Sequence, residues 1–572
     1  MYYHGLNIAL GAHAVTILPA EPAATVPAAA PASRGDSAAF AAALGEPGAA
    51  PAQFPLGPLG RLYLVAAVLA LASLVPYLSS EWVDYRYWNR LDVEPLIRAA
   101  TLTAPTRMEG PGDGPKPTSA EDDLSEGDIA ALAGVPAGVA LPGAATAEEE
   151  APLAGAVTST EALVITDELL GSQKVWLEGD VQLLAPFFQA LTDLTHGKRA
   201  KVRVGHWGDS HLANDGLTHV ARLLLHARFG DGGHGFTLVQ GRTEWYAHKG
   251  ITRAVSTGWR DFNFLSGNAR DGSYGYGGVT VEGGPGEQFT LTNSAKQPAS
   301  QLHLYYRSLG KASLSLKVDG KAMDRLDVSE PAGTEAVKVW QTAEGKHASS
   351  WRVSSGRMRV HGVALERERG LVYDSLGEVG ARGVRWTQAD AAAMTQTMAL
   401  RRPDLLILNY GGNERQDKLS QDSYTTKMSE VVTLFKAGRS DVACILMAPS
   451  DHGIRKGGKI ISDPAVVRII GWQRKMAKEV GCLFLDTRAA MGGEGAMGRW
   501  VRDGLGWSDY SHFTAQGERV MGQIIYRALL EGLRRWQAEQ AGGREQAGSA
   551  GPEGSSKPPS NAANPLSNKE KP

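Results

Sequence analysis

The sequence is poor in the residues that mark several classes of protein. Only 2 of its 572 residues are cysteine, which excludes a disulfide-rich scaffold, and no Cys/His spacing is typical of a zinc site. We therefore expect neither a metal ion nor another cofactor. Cys444 and Cys482 each lie in an apolar, strand-like run, and their simplest interpretation is as small buried side chains.

An excess of charge of one sign is also missing. Lys and Arg number 59 and Asp and Glu number 61, so the formal net charge is −2. The chain has no basic field and no Lys/Arg block, which argues against nucleic acid as a partner. At typical domain sizes, a chain of this length forms about two to four domains.

The N-terminal part has little regular pattern apart from one apolar run. Residues 1–58 are rich in Ala, Pro and Gly, which predicts a disordered arm. Residues 59–80 contain the uncharged run from Leu62 to Leu78, which as a helix reaches roughly 26 Å, close to the thickness of a bilayer core. Aromatic residues follow the run, as at a membrane interface. We predict a single transmembrane anchor, with a buried soluble helix or a signal segment as alternatives.

Two further segments have the composition of flexible chain. Residues 81–160 are rich in Ala, Gly, Pro and Glu, which predicts a low-complexity tether. Residues 541–572 are rich in Gly, Ser, Pro and Lys, which predicts a disordered tail. The arginines around the apolar run would by themselves keep the C-terminal side in the cytoplasm. Long domains, however, cross membranes largely regardless of such charges.

Residues 161–235 and 369–540 alternate strand-like and helix-like patterns. Apolar runs predict strands at Lys201–Gly205, Leu371–Tyr373, Asp404–Leu408, Val442–Met447 and Leu483–Leu485. Helical patterns lie between them, including one from His211 to Phe229. Five strands alternating with helices predict an α/β fold with a parallel sheet covered on both faces. The active sites of such folds lie beyond the carboxyl ends of the strands.

Residues 236–368 interrupt this rhythm with many short alternating segments. A hairpin turn signal, Val318-Asp319-Gly320-Lys321, lies among them, and the whole pattern predicts an inserted β-sandwich. Its aromatic residues could stack on sugar rings or could simply pack within the insert. They include Trp245, Tyr246, Trp259, Tyr274 and Tyr276.

The candidate reactive residue follows the first strand, in Gly208-Asp209-Ser210-His211. A serine at a strand-to-helix turn can be exposed with its N–H directed at a developing oxyanion, although taken alone Asp209 or Ser210 could equally be a helix N-cap. A hydroxyl needs a base to become a nucleophile, and His512 is the best candidate. Asp509, three residues earlier, can fix the tautomer of His512 if the loop bends.

Other polar residues follow the same strands. Gly380 can offer a backbone N–H and Asn413 a side-chain amide, which with the N–H of Ser210 predicts an oxyanion hole. We expect Asp209, His211 and His452 to contact substrate or line the pocket. His452 is the second candidate for the base, and His206, inside the first strand, is expected to be packed.

In this order, the blocks around Ser210, Gly380, Asn413 and Asp509-x-x-His512 resemble those of the SGNH (GDSL) hydrolases. The resemblance implies a flavodoxin-like three-layer α/β/α fold and serine esterase chemistry. It implies that Ser210 is the nucleophile, that Asp509 and His512 complete the triad, and that Gly380 and Asn413 join the oxyanion hole. The second block offers Gly377 or Gly380. We choose Gly380, because this glycine usually precedes the turn into the next helix.

A finer resemblance, over about residues 175–537, is to peptidoglycan O-acetylesterases. It rests on His-x-Gly-Asp-Ser-His, on the glycine-rich stretch from Phe229 to Phe236, and on a carbohydrate-binding-like β-domain between the first two blocks. It implies removal of O-acetyl groups from a cell-wall polysaccharide through an acyl-Ser210 intermediate. We accordingly expect a single-pass protein of the bacterial inner membrane with a periplasmic catalytic domain. The alternatives are an O-acetyltransferase or other acyl esterase on the same scaffold, and a non-catalytic carbohydrate-binding protein.

Overall fold

The computed structural model describes residues 124–134, 160–170 and 177–549. The predicted arm, the transmembrane anchor, most of the tether and residues 550–572 lie outside the described residues. Within those ranges, no helix combines the length and the apolar character that crossing a membrane requires.

The described chain alternates strands and helices around a long all-β stretch. The strands are β1 (Leu177–Glu178), β2 (Lys201–Gly208), β3 (Gly233–Thr237), β4 (Ile251–Val255), β5 (Arg260–Asn263), β6 (Val279–Gly283), β7 (Gln288–Asn293), β8 (Ala299–Ser308), β9 (Ala312–Val318), β10 (Lys321–Val328), β11 (Glu335–Gly345), β12 (Ala348–Ser355), β13 (Met358–Glu366), β14 (Gly370–Gly377), β15 (Leu405–Asn409), β16 (Ala443–Met447), β17 (Gly453–Lys456), β18 (Lys459–Ser462) and β19 (Leu483–Leu485). The helices are α1 (Glu126–Ala133), α2 (Asp167–Leu170), α3 (Ala185–Thr195), α4 (Ser210–Ala213), α5 (Gly216–Phe229), α6 (Ala391–Arg401), α7 (Gln421–Lys436), α8 (Pro464–Glu479), α9 (Thr487–Ala490), α10 (Ala496–Arg502) and α11 (Ala515–Ser549).

The central sheet has the strand order β1-β19-β16-β15-β2-β14, and all its pairs are parallel except β1 with β19. Counted along the chain, the parallel strands follow the order 2-1-3-4-5, which is that of flavodoxin-like folds. The prediction of an α/β fold is confirmed. The order reverses between β2 and β15, and ligands of such sheets bind at the carboxyl side of this reversal.

Helices cover both faces of this sheet because its strands are apolar on both sides. In β15, Leu405 and Ile407 belong to one apolar core with α3, α5 and α11. Leu406 and Leu408 point the other way, into a second core with α6, α7 and α8. The two apolar cores hold the strands in place. The polar residues of the candidate site lie in the loops at the carboxyl ends of these strands.

The stretch from β3 to β13 forms two antiparallel sheets. Their orders are β10-β9-β12-β7-β4 and β11-β8-β13-β6-β5, with β3 paired to β13. A separate apolar core lies between them, with Trp351 and Leu304 at 0% exposure. At the predicted hairpin, between β9 and β10, Asp319 has φ 52° and Gly320 φ 77°. Two positive φ values in succession are the signature of a type I′ turn.

Two segments assigned to flexible chain are helical where the structure describes them. Within 81–160, α1 begins at a capping box formed by Ser125 and Asp128. Its last residue, Ala133, is buried, and the Ala133 carbonyl accepts from the Tyr526 hydroxyl at 2.8 Å. At the other end, α11 continues to Ser549, because Ala, Gln, Glu and Arg sustain the helix past residue 541.

The interpretation of the cysteines needs correction. Cys444 in β16 and Cys482 just before β19 are both buried, as expected, but they form a disulfide across a sequence separation of 38. The pairing arises because β16 and β19 are neighbours in the sheet. That adjacency is a property of the topology, which cysteine spacing alone does not reveal.

Candidate active site

The loop that carries Ser210 is shaped by a close approach of two strands. A Cβ on Gly208, the last residue of β2, would lie 2.9 Å from the Asn409 carbonyl oxygen of β15, so a larger residue would push these strand ends apart. Asp209 then caps α4 by accepting the N–H of His211 at 3.1 Å. Ser210 is the first residue of α4, so the N-cap interpretation holds for Asp209 and leaves the Ser210 hydroxyl available.

The predicted helix from His211 to Phe229 is in fact two helices. The chain breaks at Asp215, which has φ 58° and whose buried carboxylate accepts from Arg222 Nη2 at 2.6 Å. The carboxylate also accepts the backbone N–H of Lys249 in the insert, at 2.9 Å. The helix α4 is therefore a single turn whose far end is tied to the insert.

Ser210, His512 and Asp509 form a continuous chain of hydrogen bonds. Ser210 Oγ lies 2.9 Å from His512 Nε2, and His512 Nδ1 lies 2.6 Å from Asp509 Oδ2. With Nδ1–H donating to the carboxylate, Nε2 is free to accept the serine proton. Burial acts to raise the pKa of Asp509, but hydrogen bonds from His512 hold it well below its usual value. The carboxylate therefore stays ionised.

The loop bends in the way that the Asp-x-x-His spacing requires. Asp509 Oδ1 accepts the backbone N–H of Ser511 at 2.9 Å and of His512 at 3.0 Å, so one carboxylate folds the loop and orients the ring. Tyr510 takes a left-handed φ of 56° to close this turn. The Gly453 N–H, at the start of the β17–β18 hairpin, donates to the Tyr510 carbonyl at 2.8 Å and holds it there.

His211 connects the loops on either side of the serine. Its Nδ1 lies 3.0 Å from Asp209 Oδ1 and its Nε2 3.0 Å from the Ser511 carbonyl oxygen. A carboxylate and a carbonyl can only accept, so these two contacts favour a ring that carries protons on both nitrogens, and the Ser450 hydroxyl also lies 3.1 Å from Nε2. Burial acts to lower the pKa of His211, but the charge of Asp209 raises it above its usual value. His211 thus ties the nucleophile loop to the Asp509–His512 loop, and it also lines a small cavity together with Asp209 and Ser450.

Gly380 and Asn413 lie at the same end of the sheet. Gly380, with φ 75°, is the third residue of a turn closed by the Ala381 N–H to the Glu378 carbonyl at 3.0 Å. A positive φ at this position is the reason for glycine. Asn413 Nδ2 donates to the Ala381 carbonyl at 3.0 Å, which ties the asparagine to this turn. The alternative, Gly377, packs beneath α4, where a Cβ would lie 2.4 Å from the Leu212 backbone.

Asp209 and His452 lie behind the reacting groups, at 4% and 5% exposure. His452 Nδ1 bonds to the Ser450 carbonyl at 3.1 Å, and burial lowers its pKa to about 3. The hydroxyl of Ser210 is paired with His512, so the structure does not bring the second candidate base to the serine. Contact of Asp209, His211 and His452 with substrate stays a prediction. His206 is fully buried, as expected, and bonds to the Tyr373 hydroxyl at 2.8 Å.

The aromatic residues of the insert are mostly not available to a ligand. Those with exposures below 9% are Tyr246, Trp259, Tyr274 and Tyr276. Tyr276 packs on Trp207 and Trp259 packs on Phe289, so for these four residues the structure supports the second interpretation, packing within the fold. Trp245 is half-buried in the β3–β4 loop. Sequence reasoning missed Trp507, which is 36% exposed and donates its backbone N–H to the His512 carbonyl at 2.9 Å.

Two buried carboxyls near the site were also missed. Glu414 follows Asn413 and accepts the N–H of Gly383 at 2.6 Å and of Gly411 at 3.1 Å, and burial raises its pKa to about 7. Glu378 follows Gly377 and is 2% exposed. Neither of its side-chain oxygens has a hydrogen-bond partner among the described residues, and burial raises its pKa to about 8. Motif positions alone do not reveal such burial, because it depends on the insert above the loop.

The insert contributes a loop to this end of the sheet. Between β3 and β4, Arg242 donates to the Val379 carbonyl, one residue before Gly380. The Ala247 N–H donates to the Ala213 carbonyl, at the end of α4, at 2.8 Å. The insert therefore contacts both the serine helix and the glycine turn. In the ranges that the structure covers, no group of His, Cys, Asp and Glu side chains is placed to hold a metal ion.

Comparison with solved structures relates this fold to that of one peptidoglycan O-acetylesterase. A peptidoglycan O-acetylesterase aligns with a TM-score of 0.54 and 21% identity, over 63% of this chain and 99% of that chain. A family two carbohydrate esterase from Clostridium thermocellum aligns at 0.21 with 9% identity, over 48% and 96%. A salicylyl-acyltransferase from a tetracycline biosynthetic pathway aligns at 0.21 with 14% identity, over 49% and 94%. No family model and no curated protein sequence matches the chain significantly. The first alignment establishes a shared fold, in agreement with the motif resemblance to SGNH hydrolases.

Proposed function

We propose that this protein is a serine esterase that removes O-acetyl groups from a cell-wall polysaccharide, with peptidoglycan as the substrate. The observation that carries the proposal is the chain of hydrogen bonds from Ser210 through His512 to Asp509, at the carboxyl end of β2. It supplies a nucleophile, a base and an orienting carboxylate in one line, which is the arrangement that acyl transfer needs.

In the first half of the reaction, Ser210 Oγ attacks the acetyl carbonyl carbon and its proton passes to His512 Nε2. Negative charge then develops on the carbonyl oxygen. The N–H groups of Ser210 and Gly380 and the amide of Asn413 stabilise this charge. One such donor typically contributes about 3–4 kcal/mol to the transition state. The bond to the sugar oxygen breaks, and His512 returns the proton to that oxygen as the sugar leaves.

In the second half, water attacks the acetyl-Ser210 carbonyl carbon and gives a proton to His512. The bond to Oγ breaks, Ser210 regains its proton, and acetate leaves. The side chains of His512 and Asp509 are 30% and 41% exposed, so the site is open to water and to a bulky acyl donor. The same opening would admit a sugar hydroxyl as acceptor, so the assay must measure transferred acetyl as well as free acetate.

Three features support a polysaccharide substrate outside the cytoplasm. The fold is shared with a peptidoglycan O-acetylesterase over 99% of that chain. Trp507 is 36% exposed and its backbone is bonded to that of His512, so its ring offers an apolar surface in the same loop on which a sugar can stack. The Cys444–Cys482 disulfide suits an oxidising compartment such as the periplasm. A protease that cleaves the catalytic domain only after the inner membrane is permeabilised would contradict the periplasmic location.

The test of the esterase is acetate release by the full-length protein from O-acetylated peptidoglycan and from a small aryl acetate, with Ser210→Ala as the control. We expect release from both substrates and its loss in the variant. Hydrolysis of the aryl ester alone would keep the serine chemistry and contradict peptidoglycan as the substrate. No wild-type turnover on either would contradict the enzyme and favour a carbohydrate-binding protein.

A further inference from the structure

Two separate segments that carry unpaired positive charge contact loops of the candidate site. One is Arg242 in the β3–β4 loop of the insert. The other is the β17–β18 hairpin, which carries Arg455, Lys456 and Lys459. All four side chains are exposed, and none lies within ion-pair distance of a carboxylate in the described part of the chain.

The hairpin lies against the loop of the proposed base. Its first residue donates to the Tyr510 carbonyl at 2.8 Å. The guanidinium of Arg455 lies 5.6 Å from the centre of the Tyr510 ring, and its Nη2 lies 3.4 Å from the hydroxyl. Tyr510 is two residues from His512, so the charged hairpin adjoins the loop of the proposed base.

Arg242 lies against the other side of the site, at the glycine turn. It donates to the Val379 carbonyl, and one of its nitrogens lies 3.9 Å from where a Cβ on Gly380 would be. The neighbouring acid, Glu378, is buried, and burial raises its pKa to about 8. Neither oxygen of this carboxyl accepts from the Arg242 guanidinium among the described residues, so Arg242 forms no ion pair with its neighbouring acid.

Unpaired arginines are not the rule at this end of the sheet. Arg382 pairs with Asp417 at 2.9 Å, and Arg415 pairs with Asp463 at 3.0 Å. Both lie in the segments that follow β14 and β15, close to Gly380 and Asn413 in the chain. The formal charge of the whole chain is −2, so the four cations are a local feature and not part of a general positive surface.

We propose that Arg242, Arg455, Lys456 and Lys459 form an anion-binding strip that selects glycans carrying carboxylates near the acetylated sugar. The inference rests on the proposed function, since it names the substrate class of the same site. Cations at the glycine turn and at the loop of the base orient the polymer without touching the reacting atoms, so their effect falls on KM more than on kcat. Each exposed ion pair contributes up to about 5-fold in affinity and weakens with added salt.

The test compares one glycan in two charge states. Solubilised O-acetylated peptidoglycan strands are used either with free carboxylates or after amidation by carbodiimide and ammonia. Their binding to full-length Ser210→Ala protein is measured by calorimetry at low and high NaCl concentration. We expect the free-carboxylate strands to bind about 10-fold more tightly at low salt, and the difference to vanish at high salt, because about four exposed pairs are screened.

Charge variants locate the effect. Lys456→Gln and Lys459→Gln are introduced together into the Ser210→Ala protein. They remove two cations and leave the Arg455–Tyr510 contact in place. We expect the preference for free carboxylates to fall about 3- to 5-fold. The matched control is Lys317→Gln with Arg352→Gln, two exposed cations on β9 and β12 of the insert, which changes the net charge equally. The control should leave the preference unchanged.

Equal affinity for the two glycans would overturn the proposal of an anion-binding strip. An equal loss of the preference for free carboxylates in the test and control variants would also overturn it. A second assay, acetate release from the two glycans by the protein with Ser210 intact, distinguishes failure of the proposed esterase activity from failure of the strip. Release from both glycans at the same kcat/KM keeps the esterase and overturns the strip. Charge-dependent binding without any acetate release keeps the strip and overturns the esterase.

Discussion

Replacing Glu378 by glutamine should change how the stability of this protein depends on pH. Glu378 is 2% exposed, and neither carboxyl oxygen has a hydrogen-bond partner among the described residues. Glutamine has nearly the same shape but cannot ionise. The variant therefore removes the titration of this carboxyl and keeps its volume between the insert and the glycine turn.

The magnitude follows from the difference between two pKa values. Burial raises the pKa of Glu378 from 4.5 to about 8 in the folded protein. The folded state then holds a proton that the unfolded chain releases. Its contribution to stability is complete below pH 4.5 and is lost as the pH rises towards 8, at about 1.4 kcal/mol per pH unit. The loss is about 3 kcal/mol at pH 7 and about 4 kcal/mol at pH 8, and it approaches a limit of about 5 kcal/mol above pH 9.

The assay is urea unfolding of the wild type and Glu378→Gln at several pH values from 4 to 8. We expect the free energy of unfolding of the variant, relative to that of the wild type, to increase by about 1.4 kcal/mol for each pH unit above 4.5. The unpaired amide adds a cost of about 1–3 kcal/mol that does not change with pH, so the slope is the diagnostic quantity. Glu244→Gln, on an exposed residue of the same insert loop, is the control. If the free energies of unfolding of wild type and Glu378→Gln had the same dependence on pH, the reasoning would be refuted.

Three further predictions concern the site. Asp509→Asn should lower kcat on an aryl acetate by about 100- to 10,000-fold with little change in KM. The reason is that the amide no longer fixes the tautomer of His512. An unchanged kcat would contradict the orienting role of Asp509. Asn413→Ala should lower kcat by about 100- to 1,000-fold, and a change confined to KM would place Asn413 outside the oxyanion hole. His211→Gln leaves the buried Asp209 carboxylate unpaired and should destabilise the fold by about 3–5 kcal/mol. Adding Asp209→Asn to His211→Gln should recover part of this loss in urea unfolding, and additive losses would contradict the ion pair.

The elements that could be predicted from the sequence are those whose pattern is local. Leu405 to Leu408 form an apolar run because both of their faces are buried, and this run was assigned to a strand at nearly its true bounds. The Asp509-x-x-His512 spacing identified a pair whose contact depends only on the bend at Tyr510. The β17–β18 hairpin was missed because its turn, Gly457-Gly458, lies between charged residues and not in an alternating apolar pattern.

What could not be predicted depends on contacts between distant parts of the chain. The His211 ring meets the carbonyl of Ser511, 300 residues away in the chain, and the Cys444–Cys482 bond follows from the order of the strands. The buried rings of Tyr274 and Tyr276 are enclosed by packing between the insert and the α/β part. In each case the residue was visible in the sequence, but its environment was set by the topology.

The central claim is that acetyl passes through Ser210. The most direct measurement is rapid quenching of the full-length protein during turnover of an aryl acetate, followed by mass spectrometry of the peptide that contains Ser210. We predict one added acetyl group on Ser210 and none on the corresponding peptide of Ser210→Ala. Acetate release by Ser210→Ala at the wild-type rate, or acetyl only on another residue, would contradict the account.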